Sequence, residues 1–168
     1  MVGVTLRKAE PGDAAALVEL ARDIGAEPEG WLITDGRWRS ASDERRYLRA
    51  IRRHIDAAVI VAEEDGRLVG RLSAARDPHP ASAHVADVGL MVARSSRRRG
   101  IGRALMTAVE AWAREVGVTK LELHVFPYNE PAIRLYESLG YEREGLRRGH
   151  YRRGGELVDA ILMAKEIP

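Results

Sequence analysis

The sequence predicts a mixed α/β fold in which seven strands form one mostly antiparallel sheet flanked by about four helices. Segments with the alternation or the apolar runs typical of strands are interleaved with segments whose apolar residues recur at helical spacing. Glycine turns at Asp65-Gly66 and Gly154-Gly155 predict antiparallel hairpins. The strand, helix, strand order of residues 88–125 predicts one parallel pair of strands.

The N-terminal part of the chain predicts one strand and two helices. Val4–Lys8 alternates apolar and polar residues, and Pro11-Gly12-Asp13 then breaks the strand. The helix that follows is closed by Gly25, and its apolar face is Ala14, Leu17, Val18, Ala21 and Ile24. Ser40 with Asp43 resembles a capping box and starts a basic helix that ends near His54. The apolar face of this second helix is Tyr47, Leu48, Ile51 and Ile55.

Between these helices, residues 26–39 show no sustained period and are predicted to form a loop. Two tryptophans, Trp31 and Trp38, lie in it. Two interpretations stay open for them, because large aromatics in a loop either line a ligand pocket or form a hydrophobic plug over the core.

The remaining elements follow from the same patterns. Strands are predicted at Ala57–Ala62, Arg67–Ala75, His84–Val92, Thr119–Val125, Tyr141–Arg152 and Glu156–Ala164. One helix follows Gly100 and ends at Gly117, and another covers Pro131–Leu139. Alternation in Thr119–Val125 directs the two polar side chains, Glu122 and His124, to the face opposite the apolar ones.

The composition is that of an ordinary globular chain. Its 168 residues suit one domain, 1–168, with 45% hydrophobic and 31% charged residues. No apolar run reaches the length of a membrane span and the N-terminus lacks a signal-peptide core, so a cytoplasmic protein without membrane contact is expected. The absence of cysteine excludes disulfides, thiolate metal sites and a cysteine nucleophile.

Residues 88–112 predict an anion-binding loop. An apolar strand is followed by the basic segment Arg97-Arg98-Arg99 and by Gly100-Ile101-Gly102, after which helical spacing begins. Backbone N–H groups left uncovered at a helix start favour an anion, and arginines add charge of the right sign. The spacing fits neither a P-loop, which needs a Lys after the second Gly, nor a dinucleotide fingerprint, whose third Gly position holds Leu105.

Two motifs instead resemble the GNAT superfamily of acyl-CoA N-acyltransferases. Arg97-x-x-Gly100-x-Gly102 resembles its R/Q-x-x-G-x-G/A signature. Further along, residues 129–141 resemble the family's helix pattern NxxAxxLYxxxG followed by F or Y. The matching positions there are Asn129, Ala132, Leu135, Tyr136, Gly140 and Tyr141. The predicted element order fits the family over essentially the whole chain, which implies that the fourth and fifth strands form a splayed parallel pair.

The resemblance implies acetyl-CoA as cosubstrate and no metal. Loop amides are expected to bind the coenzyme pyrophosphate, and the pantetheine arm to pair with backbone groups of the fourth strand, beside a bulge at Gly89. The residues expected at the coenzyme are Leu90, Met91, Val92, Arg97, Arg98, Arg99, Gly100, Ile101, Gly102, Arg103, Ala104, Asn129, Ala132 and Tyr136. Asn129 and Tyr136 have structural interpretations too, as a helix N-cap and a packing aromatic.

The chemistry that the resemblance implies needs a base for the ammonium proton and an acid for the departing thiolate. The match assigns the acid to Tyr136. The base stays open between Asp87, on the fourth strand, and Glu122 or His124, on its neighbour. A strand-end carboxylate balancing nearby arginines is an equally good interpretation of Asp87, and an ordinary half-buried histidine is the more frequent one of His124.

The function implied is transfer of an acetyl group to a primary amine of a small molecule, because residues 84–89 and 151–160 resemble the bacterial branch that acetylates amino acids and other small amines. The alternatives are a protein acetyltransferase acting on N-termini or lysines and a non-catalytic acyl-CoA-binding module. A nucleic-acid partner is not expected, because aromatics are only 5% of the chain and no stacking motif is present. Relatives are often dimers, which makes a homodimer an expectation of the resemblance alone.

Overall fold

The computed structural model describes residues 3–34 and 39–168. Seven strands and four α-helices lie in these ranges. In chain order they are β1 (Val4–Lys8), α1 (Ala14–Gly25), α2 (Ala41–Ile51), β2 (Ala57–Glu64), β3 (Arg67–Arg76), β4 (Val85–Val92), α3 (Ile101–Val116), β5 (Lys120–Val125), α4 (Glu130–Ser138), β6 (Glu142–Arg153) and β7 (Glu156–Glu166).

The strands form one sheet in the order β1-β2-β3-β4-β5-β7-β6. Every neighbouring pair is antiparallel except β4 and β5, which are parallel. The mixed seven-stranded sheet with one parallel pair is therefore confirmed. A helical crossover, α3, connects the parallel strands, as that orientation requires.

The parallel pair is very short. Pairing runs from Val85 opposite Lys120 to Asp87 opposite Glu122, and beyond Asp87 the two strands separate. This is the splay that the family resemblance implies. The bulge expected at Gly89 is wrong, because β4 keeps a continuous register against β3 through that residue. Gly89 makes room for its neighbour on β3 instead, since a Cβ there would lie 3.1 Å from the Ser73 hydroxyl oxygen, a tight contact.

Helices cover both faces of the sheet and define two apolar layers. On one face, α3 and α4 pack on the larger core, to which they contribute Ile101, Leu105, Met106, Val109, Trp112 and Ile133. On the other face, α1 and α2 bury Leu17 and Leu48 against Val59 and Val61 of β2. Within the described ranges, no helix is both long and apolar enough to cross a membrane.

Helix α2 begins as predicted but ends early. The Ser40 hydroxyl accepts the Asp43 N–H at 3.1 Å, which confirms the cap. The predicted continuation to His54 is wrong, because the helix ends at Ile51 and Ile55 is 68% exposed. Pairing with the neighbouring strand β3 begins soon afterwards, because the Asp56 carbonyl, just before β2, accepts the Arg76 N–H at 2.7 Å.

Helix α3 ends at a residue whose backbone conformation only glycine adopts easily. Gly117 has φ of 77° and no atom lies within 4 Å of the place a Cβ would take, so the backbone angle alone opposes substitution. We expect Gly117→Ala to lower the free energy of unfolding by about 1 kcal/mol. The control is Gly12→Ala, which also meets open space but has no positive φ, and it should leave stability equal or slightly raised. Denaturant melts of both variants make the comparison, and equal effects would contradict it.

Candidate active site

A cleft of about 520 Å³ opens where β4 and β5 separate. Its walls come from the loop after α1, from strands β3 to β6, and from α4 and its N-cap residue. The lining residues are Trp31, Leu32, Ile33, Thr34, Arg39, Arg71, Ser73, Asp87, Val88, Gly89, Leu90, Met91, His124, Val125, Asn129, Tyr136 and Tyr151. Trp31 thus lines a pocket, the first of its two interpretations, and Trp38 lies outside the described residues.

The cleft passes through the sheet. Paired residues in register project to the same face, so Asp87, Glu122 and His124 lie on one face, together with Tyr151, which hydrogen-bonds His124. This is the face that α1 covers. Met91 lies four residues after Asp87 on β4, so its side chain projects to the same face, and it packs on α1. Tyr136 lies on the opposite side, in the core beneath α3. The gap between β4 and β5 connects the two sides.

The loop between β4 and α3 leaves backbone donors uncovered. Gly100 is the N-cap with φ of 81°, and no side chain caps the helix. The first-turn N–H groups of Ile101, Gly102 and Arg103 have no intrahelical acceptor, so this 16-residue helix presents donors and its positive dipole end to an anion. Gly102 has a packing role as well, since a Cβ there would lie 3.1 Å from a Leu135 methyl carbon.

Most arginines of this loop form hydrogen bonds with other residues of the protein. Arg99 forms a fork with Glu64, and an Arg103 Nη donates to the Ser138 hydroxyl at 2.7 Å. Arg97 is bound most fully: its Nη atoms donate to the two Glu27 carboxylate oxygens at 2.7 and 2.8 Å, and its Nε donates to the Val92 carbonyl at 3.0 Å. Arg98 is exposed, with φ of 59°, and has no carboxylate partner among the described residues.

The β4 residues expected at the coenzyme form one rim of the cleft. Met91 is buried against α1, and Leu90 and Val92 pack on the α3 core. Their backbone groups on the β5 side have no strand partner, because β5 pairs only as far as Asp87. Unpaired peptide groups of this kind satisfy their hydrogen bonds with water or with a ligand.

Helix α4 carries the second motif into the cleft. The Asn129 carboxamide oxygen accepts the Ala132 N–H at 3.3 Å, so the N-cap interpretation of Asn129 is confirmed. Tyr136 lies one helical turn after Ala132, and the residue is 6% exposed. Burial raises the pKa of the Tyr136 phenol to about 12, so it stays protonated at neutral pH and can donate a hydrogen bond.

Asp87 and Glu122 are opposite each other at the last pair of the parallel strands. Loss of water around the Asp87 carboxyl, followed by repulsion from Glu122, raises the pKa of Asp87 to about 6, against a smaller lowering by Arg147. Asp87 still reaches solvent at the cleft mouth. A carboxyl with this pKa is largely ionised at pH 7 and is basic enough to take up a proton.

A tyrosine that the sequence did not single out joins this group. The Tyr151 hydroxyl lies 2.6 Å from His124 Nδ1. Burial, followed by the charges of Arg147 and His150, lowers the pKa of His124, which favours neutral imidazole at pH 7. Burial and the charge of Asp87 raise the pKa of Tyr151.

Alternation along β6 could not have found Tyr151. Arg143 and Gly145 oppose consecutive residues of β7, so β6 holds an extra residue between them and the alternation inverts. A second irregularity lies between Arg147 and Tyr151, where the Gly149 N–H donates to the Asp159 carboxylate at 2.7 Å. The sequence signal for this second bulge is Gly149 itself, which has φ of 55°.

A buried ion-pair cluster was also missed. Glu44 of the basic helix α2 is fully buried, and its carboxylate binds Arg71 at 2.9 Å and Arg39 at 3.2 Å. Both arginines line the cleft. Local sequence patterns do not indicate the Glu44–Arg71 pair, because its two residues lie 27 positions apart. No group of three or more His, Asp or Glu side chains in the described ranges is placed to hold a metal ion.

The chain resembles known proteins in sequence and in fold. Residues 16–141 match the acetyltransferase (GNAT) family. An L-amino acid N-acetyltransferase of Escherichia coli is 33% identical over 176 aligned residues, which cover 98% of this chain and 99% of that protein. A GNAT-family acetyltransferase of Streptococcus pneumoniae superposes with a TM-score of 0.89 at 24% identity, covering 98% and 99% of the two chains. A phosphinothricin acetyltransferase of Sinorhizobium meliloti, in complex with acetyl-CoA, gives 0.86 at 20% identity, covering 99% and 89%.

The Asp87 carboxyl offers a direct test of this geometry. We expect its midpoint near pH 6 in a carbon-detected NMR titration, and a lower midpoint in Glu122→Gln, because that variant removes the repulsion. Asp13 is the internal reference, since its hydrogen bonds to Arg7 hold the pKa of that carboxyl below its usual range. An Asp87 midpoint near 4, or one that Glu122→Gln does not move, would contradict the arrangement.

Proposed function

The chain belongs to the GNAT family of acetyltransferases, and we propose that it transfers the acetyl group of acetyl-CoA directly to the primary amine of a small molecule, most suitably an L-amino acid. As a family member it is an acetyl-CoA-dependent N-acetyltransferase. The amino-acid acceptor is the finer proposal. The observation that carries it is a pair of arginines on the cleft wall, on the same side as Asp87.

The residues present fit the coenzyme. Uncapped amides at the start of α3, with Arg98 beside them, suit the pyrophosphate. The side of β4 that β5 leaves unpaired, at Leu90, suits the amide groups of the pantetheine arm, whereas the Val92 carbonyl is bound by Arg97. Both features lie at the end of the sheet where the cleft opens. When bound there, acetyl-CoA supplies an activated acyl group and a thiolate leaving group.

On the α1 side of the gap, a base is available. Asp87 would take the proton that the acceptor ammonium loses, directly or through a water, so that the neutral amine can attack the thioester carbonyl. The Tyr151 and His124 pair lies beside it and offers a second acceptor for the same proton. After burial, the charge of Glu122 is the second cause that raises the pKa of Asp87, and Glu122 is proposed to act only in that way.

On the α3 side, Tyr136 is proposed to donate to the departing sulfur. Its raised pKa keeps the phenolic proton in place until a thiolate develops. The two roles thus fall to groups on opposite sides of the sheet. A chain without cysteine has no thiol on which to form an acyl-enzyme, which is consistent with direct transfer.

The acceptor end of the cleft suits a carboxylate. Arg71 and Arg39 both bind Glu44, and both guanidinium groups line the cleft. A substrate carboxylate would be attracted to this cluster, and the forked geometry of Arg suits it. The 33% identity to an L-amino acid N-acetyltransferase, over nearly the whole of both chains, supports the same class of acceptor.

An acceptor panel tests the substrate class. The L-amino acids should release free CoA thiol from acetyl-CoA, whereas their amides and decarboxylated amines should be poorer by roughly tenfold or more in kcat/KM, because they lack the charge that the arginines attract. N-terminal peptides and lysine side chains supply the comparison with a protein acetyltransferase. Equal or better turnover of peptides would contradict the proposal, and tight acetyl-CoA binding with no turnover of any amine would indicate a non-catalytic module.

The proposed acid is tested by a matched pair of tyrosines. Tyr136→Phe should lower kcat by roughly 10²-fold with little change in acetyl-CoA affinity, because it removes the phenolic proton and keeps the ring. The control is Tyr141→Phe. Tyr141 is also buried, with its ring centroid 6.0 Å from that of Tyr136, and its hydroxyl has no hydrogen-bond partner among the described residues. It should leave kcat unchanged, and equal loss in both variants would argue against the assignment.

A further inference from the structure

We propose that Arg97 is a positioning residue for the acceptor, because it fastens the loop of residues 26–34, here called the acceptor loop, to the end of β4. The proposal rests on the proposed function, since the acceptor loop matters in this way only if an amine binds in the cleft that Trp31 and Leu32 line. It differs from what the motif implies, which is a contact of Arg97 with the coenzyme.

All three kinds of donor nitrogen in the Arg97 guanidinium are engaged. The two Nη atoms form a fork on Glu27 of the acceptor loop, and Nε donates to the Val92 carbonyl at the end of β4. The guanidinium carbon also lies 5.3 Å from the centroid of the Trp31 ring. The Arg97 side chain therefore connects the end of β4, the acceptor loop and Trp31, which lines the cleft.

The pair is shielded from water. The side chains of Arg97 and Glu27 are 23% and 10% exposed, unlike the Arg94–Glu29 pair that also joins the two segments, at 61% and 29%. Charge-assisted, bidentate hydrogen bonds strengthen as water is excluded. The Arg97 fork is thus the stronger of the two Arg–Glu connections between the acceptor loop and the segment that follows β4.

The acceptor loop depends on such contacts, because residues 26–34 form no helix or strand. The other rim of the cleft holds it at two carbonyls: the Tyr128 hydroxyl donates to the Gly30 carbonyl at 2.9 Å, and an Arg153 Nη donates to the Leu32 carbonyl. Arg97 supplies the opposing attachment. Without it, the attachment on that side is reduced, among the described residues, to the more exposed Arg94–Glu29 pair, and Trp31 loses the cation beside its ring.

The consequence distinguishes two roles for Arg97. If Arg97 positions the acceptor loop, loss of either partner of the fork weakens acceptor binding. If Arg97 binds the coenzyme phosphates instead, loss of Glu27 frees its guanidinium and does not weaken acceptor binding. Glu27→Gln therefore separates the roles, because it leaves Arg97 and its charge in place.

We expect Glu27→Gln and Arg97→Lys each to raise KM for the acceptor by roughly tenfold while kcat and KM for acetyl-CoA stay within about twofold, because a charged fork is lost outside the reacting groups. Arg97→Lys keeps the charge and removes the forked geometry. The matched control is Asp13→Asn, which breaks the Arg7–Asp13 fork, with bonds of 2.8 and 2.9 Å, away from the cleft. It should lower stability without changing the acceptor KM.

A second measurement does not depend on turnover. In hydrogen exchange without substrates, the amides of residues 26–34 should exchange faster in Glu27→Gln and Arg97→Lys than in the wild type and in Asp13→Asn. Unchanged exchange, or a rise in KM for acetyl-CoA rather than for the acceptor, overturns the proposal. If the wild type turns over no amine, the proposed function fails, and the exchange result alone decides whether Arg97 holds the loop.

Discussion

The short parallel pairing between β4 and β5 determines where the cleft opens in the sheet. Each strand separates from the other while staying held by its other neighbour: β4 remains in register with β3 over its whole length, and β5 pairs with β7 from Lys120 to Val125. The flanking pairs stabilise both walls, so the gap does not close. Peptide groups on the open side of β4 are left to bind something other than a strand.

The gap also separates the proposed base from the proposed acid. Asp87 and Tyr136 lie on opposite faces of the sheet, one beside Glu122 and the other in the apolar core. Burial raises the pKa of both groups, yet the outcomes differ at neutral pH, because a carboxyl with a pKa of about 6 is mostly ionised and a phenol with a pKa of about 12 is not.

Local sequence patterns predicted the elements well, because hydrophobic periodicity, glycine turns and caps act over a few residues. The order of strands and helices, the Ser40 cap and the ends of α3 are of this kind. The failures are long-range. Arg97 binds Glu27, which is 70 residues away, and Glu44 binds Arg71, which is 27 residues away. Tyr151 follows a first bulge, between Arg143 and Gly145, that becomes evident only from the pairing of β6 with β7. A motif predicts which residues lie at a site, but it does not predict the ion pairs that those residues form.

The irregularities in β6 affect the exposed edge of the sheet as well as the cleft. This strand is at one end of the sheet order and has no strand beyond it, so a straight β6 would offer a continuous row of peptide groups to any other extended chain. The turn-like segment that Gly149 and Asp159 maintain interrupts that row. A substitution that straightened it would move Tyr151 away from His124 and would also expose an unpaired strand edge, so a change in the cleft and self-association through β6 would have the same cause.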